Sequence, residues 1–549
     1  MKYALPLLLL ALVPPAFAQS GPEPLVQNAA AVHVLDTAPA PVRLAHDPTT
    51  DALYYLTTSG DLYRIDPLYA PGREVLAYTA ADHGAAGQVL GLALGPEGTL
   101  YLVGNERQEE AGTTVATVVR GRPDGAGGHT WSVVARTAPY PRSNTPFDHS
   151  FNAVAVSPDG ATLYLNSGSR TDHGEVQDHD GRFPGTREVP LTSAILRIPA
   201  DADGLLLPND AAALRDAGIL FADGTRNSFD LAFGPDGHLF GTDNAGDRDD
   251  PDELNWLREG HHYGFPWTMG GHLTPMQVAG YDPELDRLLN PAAPAAQNGF
   301  FYDDPDFPVR PDGLTFTPPI PNRGPDADRY RDPHDGLIYD LSDEGVVLRT
   351  FTPHRSPLGL VFDTEGRLPG DYAGGAFVLS WTGADESELL APFGDEGEDL
   401  LHLALRRTDD GYETTATRLV RGFDQPIDAV IAGDEIYVLE YGGQRIWAIH
   451  LDVLADEEPD APAPAFTLDV FPNPAAQAAR IAVSLPAAQA AHIDLLDLLG
   501  RRRAVLHEGV LPAGTHRVDV PRRGLPPGLY MVRVQAGPTV LTRPLLFVP

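Results

Sequence analysis

Short apolar runs, broken every few positions by Gly, Pro or Asp, recur along most of this 549-residue chain, and hydrophobic positions spaced for a helix face are scarce. Six stretches repeat one pattern of strand, tight turn and strand. They are "VRLAHDPTTDALYYLTTSGDLYRID" from Val42, "VLGLALGPEGTLYLVG" from Val89, "FNAVAVSPDGATLYLNSG" from Phe151, "SFDLAFGPDGHLFGTD" from Ser228, "PLGLVFDTEGRLPGDYAGGAFVLS" from Pro357 and "PIDAVIAGDEIYVLEYGGQRIWAI" from Pro426. Each pattern is that of an antiparallel hairpin. The spacing between units is irregular, which argues against an open solenoid with its fixed period. The prediction is an all-β protein whose residues 19–454 form a six-bladed β-propeller, with a loop-rich insertion from about Gly270 to Arg355.

The texture changes after Leu451. "ADEEPDAPAPAP" is too acidic and too rich in Pro and Ala to bury a core, so residues 455–465 are expected to be a linker. From 466 to 549 strands and turns alternate at the spacing of a small C-terminal β-sandwich. At the other end, Lys2, a short apolar run and Ala16-Phe17-Ala18 read as a signal peptide over residues 1–18. No stretch reaches the ~20 apolar residues of a membrane helix, so no transmembrane segment is expected in the mature chain.

Composition narrows the chemistry. Asp and Glu number 76 against 39 Lys and Arg, a formal net charge of -37, which makes nucleic acid and anionic lipid poor partners. There is no cysteine, so disulfides and thiolate metal sites are excluded, and a metal would need oxygen or imidazole ligands. Lys2 is the one lysine and lies in the predicted signal peptide, which excludes Schiff-base chemistry in the mature protein.

Three places carry candidate chemistry. "FDHSF" sets Asp148 and His149 just ahead of the third unit, and Arg226 stands just ahead of the fourth. Behind that unit come six carboxylates, Asp243, Asp247, Asp249, Asp250, Asp252 and Glu253, close enough to repel one another without a counter-ion. Calcium held by Asp side chains and backbone carbonyls would supply one. A neutral imidazole can take a proton from an alcohol, and a neighbouring carboxylate would orient it. The structural alternatives are a surface Asp148–His149 hydrogen bond and an ion pair of Arg226 with Asp223 or Asp230.

These segments resemble the soluble pyrroloquinoline quinone (PQQ) dependent sugar dehydrogenases, a six-bladed propeller family with calcium and PQQ at the channel mouth. The likeness rests on "FDHSFNAVAVSPDGATLYLNSG", on "RNSFDLAFGPDGHLF", and on Asp250, Asp252, Glu253, Leu254 and Asn255 followed by "GHHYGFPW". It implies that His149 is the base for the sugar hydroxyl, Asp148 its orienting partner, and Arg226 the group that polarises the quinone. It also implies calcium near Ala245, Gly246, Asp247, Asp249, Asp250 and Asp252, with Gln88 contributing to the PQQ site. The family's basic residues near the fifth and sixth units have no counterpart here, since "FVLSWTGADES" holds no cation and Gln425 stands where one is expected. Arg355 and His354 are the substitutes the sequence offers.

The tail resembles the C-terminal sorting domain of the type IX secretion system, through "FPNP" at Phe471, "DLLG" at Asp497 and "LPPGLYMVRV" at Leu525. Together the two resemblances imply a secreted or cell-surface enzyme, exported through the periplasm, that oxidises a sugar or related alcohol and passes electrons to an external acceptor. A calcium-stabilised propeller that binds glycan or a surface protein, or a calcium-dependent lactone hydrolase, are the alternatives.

Overall fold

The computed structural model describes residues 21–27, 29–66, 73–382, 388–451, 467–496, 501–522, 524–536 and 539–548. The expected signal peptide, the expected linker and the "DLLG" motif lie outside the described residues. Contacts divide the chain into two compact units, residues 1–453 and 454–549.

In the first unit, six sheets, antiparallel apart from one outer parallel pairing in each of the second and fifth, each begin with one strand of a ring: Pro41–Asp47, Gln88–Leu94, Ala153–Val156, Leu231–Phe233, Pro357–Phe362 and Pro426–Ala432. Each of these touches the next, and the last touches the first. This is the six-bladed propeller that the repeated hairpins predict. Middle strands such as Ala52–Thr57 and Ala376–Ser380 are buried along their whole length, because each blade has a neighbour on both faces. That is why the units read as continuous apolar runs.

The ring is closed by a strand that the repeats do not reveal. Ala29–Asp36 pairs antiparallel with Arg445–Leu451, so a strand from near the start of the described chain completes the sixth sheet. On the axis, Arg43 donates to the carbonyls of Leu90, Asn152 and Phe229 and lies 3.5 Å from Asp230 and 3.9 Å from Asp428. Asp230 in turn accepts from the amide of Leu360, and Asp428 from that of Leu44. One guanidinium and two carboxylates therefore tie all six blades together below the channel mouth.

The predicted insertion is loop-rich, with short helical turns, two small hairpins, Thr268–Met269 with His272–Leu273 and Arg329–Arg331 with Ile338–Asp340, and a short strand, Asn322–Pro325, that pairs with Tyr412–Arg421 of the fifth sheet. The second unit packs a three-stranded against a four-stranded sheet, and strands such as Gly528–Ala536 alternate buried with exposed positions, as strands with one wet face must.

Candidate active site

A cavity of about 490 Å³ opens at the propeller axis, within the range of small-molecule sites. Val42, Leu90, Leu358 and Ile427 from the ring strands give it an apolar base, and Trp381 and Tyr441, with ring centroids 5.1 Å apart, give it an aromatic wall. His149, Arg226, Gln88, Asp247 and His354 line the same cavity. The structure thus brings together residues more than 200 positions apart in the chain.

His149 and Arg226 are joined through one residue: the amide of His149 donates to the carbonyl of Ser169 (2.8 Å), and the amide of Ser169 donates to the carbonyl of Arg226 (2.6 Å). Gly168, next to Ser169, leaves room for this approach, since a Cβ there would lie 2.4 Å from the Cβ of His149. Burial, and after it the positive charge of Arg226, push the imidazole of His149 down to about 3, so it is neutral at ordinary pH.

Asp148 does not orient His149. Its carboxylate accepts from Arg142 Nε and from the amide of Ser143, both at 3.3 Å, while His149 Nδ1 faces the hydroxyl of Ser169 at 3.4 Å. The pair is adjacent in sequence, but the two side chains leave the loop in different directions. The carboxylate the site does use belongs to Asp172, which was not singled out from the sequence. Fully buried, it accepts from Arg226 Nη2 (3.1 Å) and from the amide of Asp247 (3.1 Å), and it pairs with His173 Nδ1 (2.8 Å). Burial works to raise its pKa, but the bond to His173 and the charge of Arg226 outweigh that and hold it low. His173 stacks on Phe301 with centroids 3.9 Å apart, fastening the insertion to this network. The signal was there in "SRTDHGE", just past the third unit.

Residues 48–291 match the family profile described as Glucose / Sorbosone dehydrogenase, and residues 469–547 match that of the Secretion system C-terminal sorting domain. The chain thus carries a stretch similar to the glucose/sorbosone dehydrogenases, followed by one similar to the sorting domains. Among solved structures, the apo form of the soluble aldose sugar dehydrogenase of Escherichia coli is 15% identical, with a TM-score of 0.50, over 77% of this chain and 100% of that one. The holo PQQ domain of pyranose dehydrogenase from Coprinopsis cinerea is 12% identical, with a TM-score of 0.47, over 77% and 96%. At these identities the likeness is one of fold. No curated protein sequence matches the chain.

Within the propeller the acidic loop is divided. Ala245, Gly246 and Asp247 line the cavity. Asp249 instead bonds His354 Nε2 (2.8 Å) and Arg331 Nε (2.5 Å), and Asp250 bonds Arg248 Nη1 (2.6 Å) and His272 Nδ1 (2.7 Å). Asp252 accepts from the amides of Ala245, Arg355 and Ser356, which anchors the loop to the fifth blade. Asp249, Asp250 and Asp252 are therefore occupied by the protein's own cations and amides, a correction to their expected place around calcium. Among the described residues no group of three or more His, Asp or Glu side chains is arranged to hold a metal. Asn244 and Asp247 both line the cavity; one carboxylate oxygen of Asp247 accepts from the amide of Ala295 (2.6 Å), and Oδ1 of Asn244 is buried without a hydrogen-bond partner. Burial first, and then the charge of Asp172, push Asp247 up to about 7.

Arg355 is also not at the cavity. It is fully buried, with its guanidinium clasped by Asp395 and Asp399, which Arg418 shares. Burial works to raise Asp395, but Arg355 and Arg418 hold it down at about 2. A cation locked between two carboxylates has no charge left for a ligand, so Arg355 does not replace the missing basic residues. His354 does reach the cavity. Burial opposes its charge, but the bond to Asp249 and that residue's charge keep its pKa above the usual value.

Proposed function

We propose that the propeller oxidises a hydroxyl of a sugar or related alcohol, with PQQ as the hydride acceptor. The observation that carries this reading is the convergence of His149 and Arg226 on one cavity with an aromatic wall. His149 arrives neutral, so its free ring nitrogen can accept the hydroxyl proton without first losing one. The depressed basicity comes from burial and from Arg226, and a polar ligand that replaces lost hydration would raise it.

Arg226 is held by Asp172 O (2.7 Å), Asp172 Oδ1 (3.1 Å), Asn244 O (3.1 Å) and Ala245 O (2.8 Å), which use four of its five N–H donors. Three of those four acceptors are neutral carbonyls. They orient the guanidinium without cancelling its charge, and one N–H and an electropositive field remain to stabilise negative charge on a bound ligand. Trp381 and Tyr441 suit one face of a flat ring system. Bound PQQ would supply the electron-poor carbonyl that takes the hydride. Asp247 and Asn244 would hold a calcium ion, the oxygen of Asn244 being otherwise orphaned. The sorting domain supports export by the type IX system to the cell surface or medium, where an external acceptor would reoxidise the enzyme.

Incubation of the purified chain with PQQ and calcium, followed by dye reduction with a panel of aldoses, tests the reading. Turnover that requires PQQ is expected. Calcium-dependent lactone hydrolysis without PQQ, or sugar binding with no turnover, would replace it with one of the alternatives.

A further inference from the structure

The cavity holds a cation that neither the repeats nor the family likeness points to. Arg107 lies near the end of the strand Leu100–Gln108, in the second blade, and lines the cavity. It is exposed, and among the described residues its side chain makes no ion pair and no hydrogen bond.

This sets it apart from the arginines around it. Arg142 is bonded to Glu109 and Asp148, and Arg170 donates only to backbone carbonyls in a fully buried position. Arg226 has four donors committed, and Arg355 is clasped by two carboxylates. Acids outnumber bases 76 to 39 in this chain, and here an arginine held by neither carboxylate nor carbonyl stands at a ligand-sized cavity. Glu106, its neighbour in the strand, points to the opposite face. A planar guanidinium with all five N–H groups free matches a carboxylate in two-point contact.

We infer that Arg107 is the anchor for a carboxylate group of the ligand that enters this cavity. Two sources of that group are compatible with the proposed oxidoreductase reading, on which the inference rests: a carboxylate of the quinone cofactor, or that of an acidic sugar substrate such as a hexuronate.

The full chain is compared with Arg107→Gln and Arg107→Glu, which should fold normally because the side chain is exposed and unpaired. PQQ binding is followed by quenching of tryptophan fluorescence, and binding of glucuronate and of neutral glucose by calorimetry. Arg107→Gln is expected to weaken PQQ or glucuronate about tenfold, Arg107→Glu to weaken it further, and glucose to change less than about twofold. A loss for PQQ assigns the carboxylate to the cofactor, and a loss for glucuronate alone assigns it to the substrate.

The inference is overturned if every carboxylate ligand binds Arg107→Gln within about twofold of the parent chain. It is overturned equally if glucose is weakened as much as the acids, or if neither acid binds the parent chain at all. PQQ that binds through Arg107 without any dye reduction would reject the oxidoreductase reading and leave this inference standing.

Discussion

Arg226 and Arg355 are both buried arginines set among carboxylates, yet only one is available to a ligand. Arg226 is held mainly by carbonyl oxygens and shares its single carboxylate partner, Asp172, with His173. Arg355 is neutralised by Asp395 and Asp399 in a cluster that also consumes Arg418. The difference is that neutral dipoles fix a guanidinium in place and leave its field intact, whereas carboxylates fix it and extinguish the field. A cation's use to a ligand is set by what holds it, and its presence in the sequence does not tell the two cases apart.

The largest effects should come from the open arginine and its partner. His149→Ala and Arg226→Ala are each expected to lower kcat by about 10²–10⁴-fold in the dye assay, with the cavity still able to bind PQQ. Next comes the closed arginine. Arg355→Met leaves two buried carboxylates with Arg418 as their one remaining cation and should cost about 3–5 kcal/mol in urea unfolding, while the fraction that remains folded keeps its turnover. If Arg355→Met instead removed activity without loss of stability, the contrast between the two arginines would fail.

Asp172→Asn tests how the open arginine is held. It is expected to reduce kcat about tenfold, whereas Asp148→Asn, which does not touch His149, should change kcat less than about threefold in folded protein. The reverse order would restore Asp148 to the orienting role.

Stability should respond to pH in an unusual direction. Burial raises Asp243 to about 7, Asp247 to about 7, Glu253 to about 8 and Asp428 to about 7. Over pH 8 to 6.5 the folded chain therefore binds more protons than the unfolded chain, in which ordinary carboxylates stay ionised. Tm is expected to rise as pH falls through this window. His149 and His402, lowered to about 3 and about 4, oppose the trend only weakly there, because an unfolded histidine is no more than half protonated down to its ordinary value of about 6.5. Scanning calorimetry at the two pH values checks the sign, and a falling Tm would contradict it.

Much of the architecture could be read from the residues. The six hairpins announce themselves through "PDG"-like turns between apolar runs, and the alternating strands of the tail distinguish a two-sheet sandwich from a propeller blade. The strand Ala29–Asp36 could not be read this way, because it lacks a turn of its own and its partner lies some 400 residues later. At the site, His149 and Arg226 stand in the sequence just ahead of ring strands, Gln88 is offered by the family likeness alone, and the structure brings all three to one cavity. The division of the acidic loop was not. Asp247 and Asp249 look alike in sequence, and only the placement of His354 and Arg331, brought in from the insertion, turns Asp249 away from the cavity. Arg355 fails for the same reason, since Asp395 and Asp399 reach it from a loop and the start of the strand after it, with no pattern linking them to it.

The pairing of Ala29–Asp36 with Arg445–Leu451 also orders events during biosynthesis. A chain that emerges amino end first carries an unmatched edge until residue 451 arrives, and the circle of blades cannot lock before then. The assembled toroid would thus serve as its own proofreading device: a polypeptide cut short before its sixth blade stays unlatched, a target for proteases, and never presents a finished pocket.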